Sequence, residues 1–528
     1  ADAGELFSKQ EPVVLAALVG KPGPVYHDHF VAENRLTPCY GHSMSSLRNR
    51  LLLLSILSVA LLLGACDSKP PVVQNDRYLV GAYYYLWYPK NFSQGWLRAK
   101  LLPPQEPVLG LYSSKDPQVA EKHISWCSRY GVDFLALSWW PNEPEQNKAS
   151  YEGLLAAKNL SDIKFCIFYE TQNLGFDNVL GITLMTREKM ERFIADVRQV
   201  AKTFFNHPSY LKVAGRPVII FYLTRSVYVN YVEAFTRLRE ALQKDGFDPY
   251  IIGDEVFWKV IEAKGAWDES KPKPKPTDSK EPQVERAELF DAITAYNMYE
   301  GGKGHHAGYG ADSGHVAEVA AKYKLYRDAL QGKAAFVPNI LPGYNDRGVR
   351  LGVNHYAIPR QWAPEDPQGS FFAQSFQRLA FPFVDPTINM IMITTFNEWN
   401  EDTSIEPLKP APPTSRDQSG SGRDYTQGFS YAGYGTTYLE VLRDQVIAVA
   451  GRVTKADGTP AVGVPIKAWR DGKQTGSDIS DSAGFYTLSR LRMPPGEYEV
   501  GLATGGLRRK VLVVSERTLL DVDLAHNQ

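Results

Sequence analysis

Asn389-Met-Ile-Met-Ile-Thr-Thr395, followed at once by Phe396-Asn-Glu-Trp-Asn-Glu401, is an apolar run that ends in two carboxylates. A half-buried strand alternates apolar with polar positions. A run without that alternation is buried on both faces, as strands of parallel sheets are. Seven similar runs, rich in β-branched and aromatic residues, precede it at 78–87, 132–139, 163–169, 217–223, 250–253, 292–296 and 335–339. Between them lie stretches apolar at three- and four-residue spacing, at Pro117–Tyr130, 187–205, 227–245 and 314–331, which predict helices. Strand alternating with helix implies a parallel sheet, and eight repeats predict an α/β fold of the (β/α)8 TIM-barrel type. An open doubly wound sheet is the competing reading. It ranks lower because no Gly-rich phosphate loop follows the first run, where Tyr83-Tyr-Tyr-Leu-Trp-Tyr-Pro89 stands.

In such a barrel, side chains at the C-terminal ends of strands reach the substrate. That places Glu398 and Glu401 at an active face. Their spacing of three, on a helical turn, brings both carboxyls to one side. Cleaving a glycoside needs one carboxyl to protonate the departing oxygen and a second group to act on the sugar. An arbitrary Glu-x-x-Glu is more often a pair of solvated loop acids, but Phe396 before these two and Trp399 between them argue for a sheltered site.

Composition agrees with a neutral substrate. Across 528 residues, 58 basic side chains balance 59 acidic ones, so no net field favours nucleic acid. Aromatic residues make up 12% of the chain, and such rings stack on the apolar faces of sugars. The four cysteines, Cys39, Cys66, Cys127 and Cys166, form no C-x-x-C pair, which argues against a thiolate metal site. No metal and no cofactor is expected.

Near the N-terminus, Met44-Ser-Ser-Leu-Arg-Asn-Arg50 precedes a short apolar stretch at 51–63 and then Gly64-Ala-Cys66. A positive flank, a short apolar centre and small residues before the cleavage point predict a signal peptide over 44–66 rather than a spanning helix. Leu63-Gly-Ala-Cys66 resembles a bacterial lipobox, which implies lipidation at Cys66 and a lipid anchor on the periplasmic side of the bacterial cell envelope. Residues 1–43 read as an upstream mis-start or added sequence, and 67–76 as a polar tether.

The barrel is expected over 77–446, interrupted by a polar, Pro-rich surface loop at 268–282 and an irregular stretch at 407–428, and closed by a helix at 438–446. Beyond it, short strands at 449–453, 463–469, 484–488, 498–502 and 510–514, with turn signals at Asp457-Gly458 and Asp471-Gly472, predict a small all-β sandwich over 447–528. With Gly451, Val453, Gly458, Pro460 and the Asp481-to-Phe485 turn, this segment resembles the carboxypeptidase regulatory-like domains, which implies a spacer or stabilising unit.

Six ordered signposts carry a second resemblance: Ala82-Tyr-Tyr-Tyr-Leu-Trp-Tyr88, Leu109-Gly-Leu-Tyr-Ser-Ser-Lys-Asp116, Leu137-Ser-Trp-Trp-Pro141, Asn206-His-Pro-Ser-Tyr210, Pro342-Gly-Tyr-Asn-Asp346 and the segment from Phe396 to Pro407. Together they resemble glycoside hydrolase family 99, the endo-α-1,2-mannosidases and their bacterial relatives. The resemblance implies a retaining, endo-acting hydrolase of α-mannoside-type linkages in an extracellular glycan or polysaccharide. It also implies that the substrate's own 2-hydroxyl attacks, giving a 1,2-anhydro sugar. Glu398 would then be the base that deprotonates that hydroxyl, and Glu401 the acid that protonates the leaving sugar. Tyr296, Glu170, His207, Tyr210 and Tyr344 would bind substrate, and Trp87, Tyr88, Trp139 and Trp140 would offer stacking platforms. At Tyr296 a packed barrel tyrosine is an equal reading, and a lone His such as His207 is usually structural. The family commonly has Trp-His-Glu-Gly-Thr-Gln where this chain has Asn400 and Asp402, which bears on fine specificity. Two rival functions are a non-hydrolytic polysaccharide-biosynthesis protein on the same barrel and a glycan-binding lipoprotein that has lost catalysis.

Overall fold

The computed structural model describes residues 76–141, 143–257, 260–262, 265–300 and 308–526. Cys66, the predicted signal peptide, the stretch before it and the tether up to residue 75 lie outside the described residues.

The eight predicted strands form one ring. The first, Leu79–Tyr84, pairs in parallel with the second, Phe134–Trp139, and with the eighth, Met390–Ile393. The third (Lys164–Tyr169), fourth (Arg216–Phe221), fifth (Tyr250–Asp254) and sixth (Ala292–Thr294) follow in order, each parallel to the one before. The seventh comes in two pieces: Ala335–Phe336 pairs with the sixth and Asn339–Ile340 with the eighth. Pro338, at the break, has no N–H to give. Its carbonyl accepts from Met392 N at 3.0 Å, while Val337 N donates to Ile293 O at 2.9 Å, so the ring still closes. The chain is therefore an α/β barrel, as the run of apolar segments predicts.

Local chemistry explains how the ring packs. A Cβ at Gly81 would lie 2.1 Å from the Phe134 ring, so the close approach of the first two strands requires glycine there. The helix Pro117–Tyr130 starts at Asp116, whose side chain accepts from Gln118 N, and stops at Gly131, whose φ of 91° suits glycine. Its buried face, from Val119 to Cys127, covers the sheet. The predicted helix at 227–245 begins later, at Tyr231–Lys244. Val227–Tyr228 instead pairs as a short strand with Ile182–Leu184, where β-branched residues favour extended backbone. The stretch at 407–428 also departs from expectation. Leu408–Thr414 pairs with Tyr431–Gly435 in a two-stranded ribbon, which tolerates its prolines because a strand at an edge needs fewer donors.

The sandwich has a three-stranded sheet (Phe485–Ser489, Ile447–Lys455, Leu524–His526) facing a four-stranded one (Lys473–Ile479, Pro465–Arg470, Gly496–Leu502, Arg509–Val513). Val453, Ile466, Leu488 and Val500 fill its own core. The strand Lys473–Ile479 carries no alternation of apolar residues because it is a polar edge, and it was invisible to pattern. Contacts with the barrel fall at the N-terminal ends of its strands. Tyr78 N donates to Ser489 Oγ at 3.2 Å, Ser482 N donates to Asp162 at 2.8 Å, and Arg77 pairs with both Asp133 and Asp478. Among the described residues, no helix is long and apolar enough to cross a membrane.

Candidate active site

Beyond Ile393 the chain folds as a tight loop on top of the barrel. Phe396 N donates to Tyr83 O at 2.8 Å, Glu398 N to Thr395 Oγ1 at 2.8 Å, and Glu406 N returns to Phe396 O at 2.8 Å. Residues 399–402 make a turn rather than the helical turn that the three-residue spacing suggests. Asp402, at φ 49°, closes it from inside, accepting from Arg98 Nε at 2.7 Å and Arg360 Nε at 3.1 Å. Burial alone would raise the Asp402 carboxyl, but Arg360 and Arg98 outweigh it and hold it below the usual range. Trp399 is fully buried, donates from its indole to Glu406 Oε2 at 3.0 Å and packs edge-on against Trp96. It anchors the loop. The departure at Asp402 thus belongs to the architecture of the turn, whereas Asn400 faces the cleft with its amide tied to Gly95 O at 2.8 Å.

The turn presents both carboxyls to a cleft of about 660 Å³, which Trp87, Tyr88, Trp140, Glu170 and Tyr296 also line. Glu398 is only 2% exposed, and its Oε1 accepts from Asn400 N at 2.9 Å. Burial and then repulsion from Glu401 push its carboxyl well up. At Glu401, burial also raises the carboxyl; Arg350 opposes this and Asp346 adds to it. Arg350 Nη1 donates to Glu401 Oε1 at 3.1 Å, and Tyr299 Oη to its Oε2 at 3.3 Å. Two buried carboxyls that repel each other titrate as a pair, in two steps. Arg350 bonds Glu401 alone of the pair, so it favours the charge there more than on Glu398.

Glu170, just past the third strand, accepts from Ser138 Oγ at 2.8 Å, and Ser138 in turn accepts from Trp140 Nε1 at 2.8 Å. Burial pushes Glu170 up to about 8, so it is largely neutral at pH 7. Tyr296 both packs in the barrel and faces the cleft. Its hydroxyl meets that of Tyr85 at 2.6 Å, and its ring stacks on Phe168.

Four predicted residues do not meet the cleft, and each needs correction. His207 and Tyr210 lie in the segment that leads from a helix into the fourth strand, so they sit at the opposite, N-terminal end of the barrel. Tyr210 Oη accepts from Ile167 N at 3.2 Å and donates to Val218 O at 2.7 Å, which makes it a clasp between strands. His207 Nδ1 accepts from Ser209 N at 3.1 Å, and its ring packs on Phe165. Trp139 follows inward-facing Ser138 on the strand and therefore points outward, edge-on to Phe204. Tyr344 stacks on Tyr299 at 4.3 Å, one ring behind the cleft. Pattern reading also missed Tyr85, Tyr222 and Arg350 in the cleft lining and Tyr299 on Glu401. Tyr85 lies within the aromatic run from Ala82 to Tyr88, whereas no local signal marks Arg350. Among the described residues, no group of three or more His, Cys, Asp or Glu side chains is arranged to hold a metal ion.

The model for glycosyl hydrolase family 99 matches residues 101–246, a span that includes Glu170 and ends before Glu398. The chain is 21% identical over 379 residues to the glycoprotein endo-alpha-1,2-mannosidase of Rattus norvegicus, covering 65% of this chain and 70% of that protein. It is 24% identical over 382 residues to a glycoprotein endo-alpha-1,2-mannosidase-like protein of Mus musculus, covering 66% and 74%. A solved GH99 endo-alpha-mannosidase from Bacteroides thetaiotaomicron is similar at 19% identity and a TM-score of 0.45, covering 70% of this chain and 96% of that one. With the family match and the curated relatives, a barrel that gathers carboxyls at the C-terminal ends of its strands defines a class: the chain is a glycoside hydrolase. The family that the model and the curated relatives support is glycosyl hydrolase family 99.

Proposed function

We propose that the chain is a retaining, endo-acting hydrolase of α-mannoside-type linkages in an extracellular glycan or polysaccharide. The observation that carries this reading is the turn after the eighth strand, which offers two buried carboxyls to one aromatic-lined cleft opposite Glu170. The endo-alpha-1,2-mannosidase relatives support the mannoside class. Glu398 takes the proton of the sugar 2-hydroxyl as that oxygen attacks the anomeric carbon, and Glu401 gives its proton to the departing oxygen. Water later opens the 1,2-anhydro sugar with the roles reversed. Tyr296 and Glu170 bond sugar hydroxyls, and Trp87, Tyr88 and Trp140 supply stacking faces. The rival non-hydrolytic and binding-only readings are not favoured.

This division of labour requires the pair's proton to sit on Glu401 once sugar fills the cleft, although the Arg350 contact favours the charge there. Exchanged roles, with Glu398 as the acid, are the reading that the Arg350 contact supports. Cleavage of α-mannans, with assays of Glu398→Gln and Glu401→Gln on natural and activated substrates, separates the two. The variant that an activated leaving group rescues has lost the acid. If no α-mannoside is cleaved by the unaltered chain, the substrate class is wrong. We further propose that the chain is held at the bacterial envelope by lipid on Cys66.

A further inference from the structure

Arg350 stands at the end of the short helix Arg347–Arg350, between the seventh and eighth strands, and lines the cleft. One nitrogen, Nη1, bridges two carboxylates: Asp346 Oδ2 at 2.9 Å and Glu401 Oε1 at 3.1 Å. Asp346 is fully buried and also receives His355 Nδ1 at 2.6 Å. Its fixed carboxylate is therefore an anchor, and the guanidinium, 46% exposed on its cleft side, reaches out from it to Glu401. The groups that face Glu401 are Arg350, Asp346, Tyr299, Glu398 and, across the cleft, Glu170. Of these only Arg350 is cationic. Glu398 has no cation at bonding distance: its carboxyl accepts from Asn400 N at 2.9 Å, and Arg350 acts on it only through space.

We propose that Arg350, anchored by Asp346, is the positioning residue that decides which of the two carboxyls carries their shared proton, holding Glu401 as the anion until substrate enters. The assignment rests on the glycosidase reading for its purpose, but the proton distribution is a property of the chain's own side chains. A cation within hydrogen-bond distance stabilises the ionised form of the carboxyl it touches and leaves the other the cheaper site for a proton. The anchor matters because a long, half-exposed Arg side chain otherwise samples many rotamers.

The test is titration of the glutamate carboxyls of isotope-labelled full-length protein, followed by NMR, with the two signals assigned through Glu398→Gln and Glu401→Gln. In the unaltered chain the Glu401 signal should ionise first. In Arg350→Met it should ionise about one pH unit or more higher, the ordinary effect of removing an adjacent cation. The order should then no longer favour Glu401. Arg350→Lys should restore it in part. Asp346→Asn removes a nearby negative charge, so a signal that moves further down in that variant shows that charge dominates; one that moves up shows that the anchor does. Only the upward shift supports the anchoring of Arg350 by Asp346; the downward one overturns it. Unchanged Glu401 titration in Arg350→Met, with native circular dichroism, overturns the proposal. The pH profile of kcat/KM on an α-mannan is the independent readout of the enzymatic reading. If nothing is cleaved while the titrations move as expected, the substrate class fails and the role of Arg350 stands.

Discussion

Glu170 shows what burial does to a carboxyl that no cation neutralises. Its value rises to about 8, so the folded state holds a proton that the unfolded chain has already released by pH 7. A group whose folded value is raised contributes stability that is fully present at pH values below its unfolded value and is lost as pH climbs through the folded one. Replacing Glu170 with Gln should therefore change the melting temperature little at pH 5. At pH 9, where the fold must bury the charge, it should raise stability by roughly 4–5 kcal/mol. The same substitution should weaken catalysis at either pH, because the amide cannot repeat the carboxyl's bonds to sugar. Calorimetry at the two pH values checks the first part; equal melting shifts at both would show that Glu170 is ionised in the fold. For the reacting pair, Glu401→Gln should cost about 10²–10⁴-fold on natural glycans and much less on substrates with good leaving groups. Glu398→Gln should damage both kinds, and a 2-deoxy substrate should behave as if Glu398 were gone. Undiminished turnover by Glu398→Gln would remove it from the mechanism.

The element that makes the site is the loop after the eighth strand, and Asp402 holds it from beneath. Flanked by Arg98 and Arg360, its carboxylate contributes stability that is present above the usual carboxylate range and lost as pH falls through its depressed folded value. Asp402→Asn would leave two buried guanidinium groups without their counter-charge. A loss of about 3–5 kcal/mol is expected, because breaking a buried pair costs far more than the pair is worth. Activity should fall even in molecules that remain folded, since the turn carries both glutamates. Chemical denaturation read beside specific activity tests this, and a stable, fully active Asp402→Asn enzyme would show that the two arginines find other partners. The other informative element is the aromatic first strand. Tyr83, Tyr84 and Tyr85 differ in fate because direction alternates along a strand: Tyr83 and Tyr85 meet Tyr296, whereas Tyr84 turns to His123 beneath the helix Pro117–Tyr130.

At the scale of the molecule, the sandwich meets the barrel at the end away from the cleft, through contacts such as Arg77 with Asp478 and Ser128 with Asp481. The barrel core runs to Ile447 and the sandwich core begins at Ala448. Ending the chain after Ile447 should leave kcat/KM on small substrates within about twofold, because catalysis is built at the opposite face. The melting temperature should drop by several degrees as polar contacts at the barrel's base are lost. A folded truncated protein with a tenfold loss of activity would show instead that the sandwich acts on the site. Location is tested separately: Cys66→Ala should release the chain from membranes. A variant that fractionates with membranes as firmly as the unaltered chain would end the lipid-anchor proposal.

Along the chain, periodicity alone determined the barrel. Each of the eight strands buries both faces, so each reads as an apolar run whatever its neighbours are, and the helices between them carry their own spacing. The pair Glu398 and Glu401 was legible for the same local reason, lying next to each other at the end of such a run. What only the tertiary structure decided depends on direction and distance. Sequence cannot say that Trp139 faces a helix while Ser138 faces Glu170, because register around the ring chooses the face. Nor does it say that His207 and Tyr210 fall at the wrong end, although the order of helix before strand contains the clue. Arg350 reaches Glu401 across 51 positions of chain, and Arg98 reaches Asp402 across 304. Charge pairs of that separation leave no periodic trace. They exist because closing the barrel brings the loops of its first, seventh and eighth strands to one rim, where burial makes each unpaired charge costly enough to select its partner.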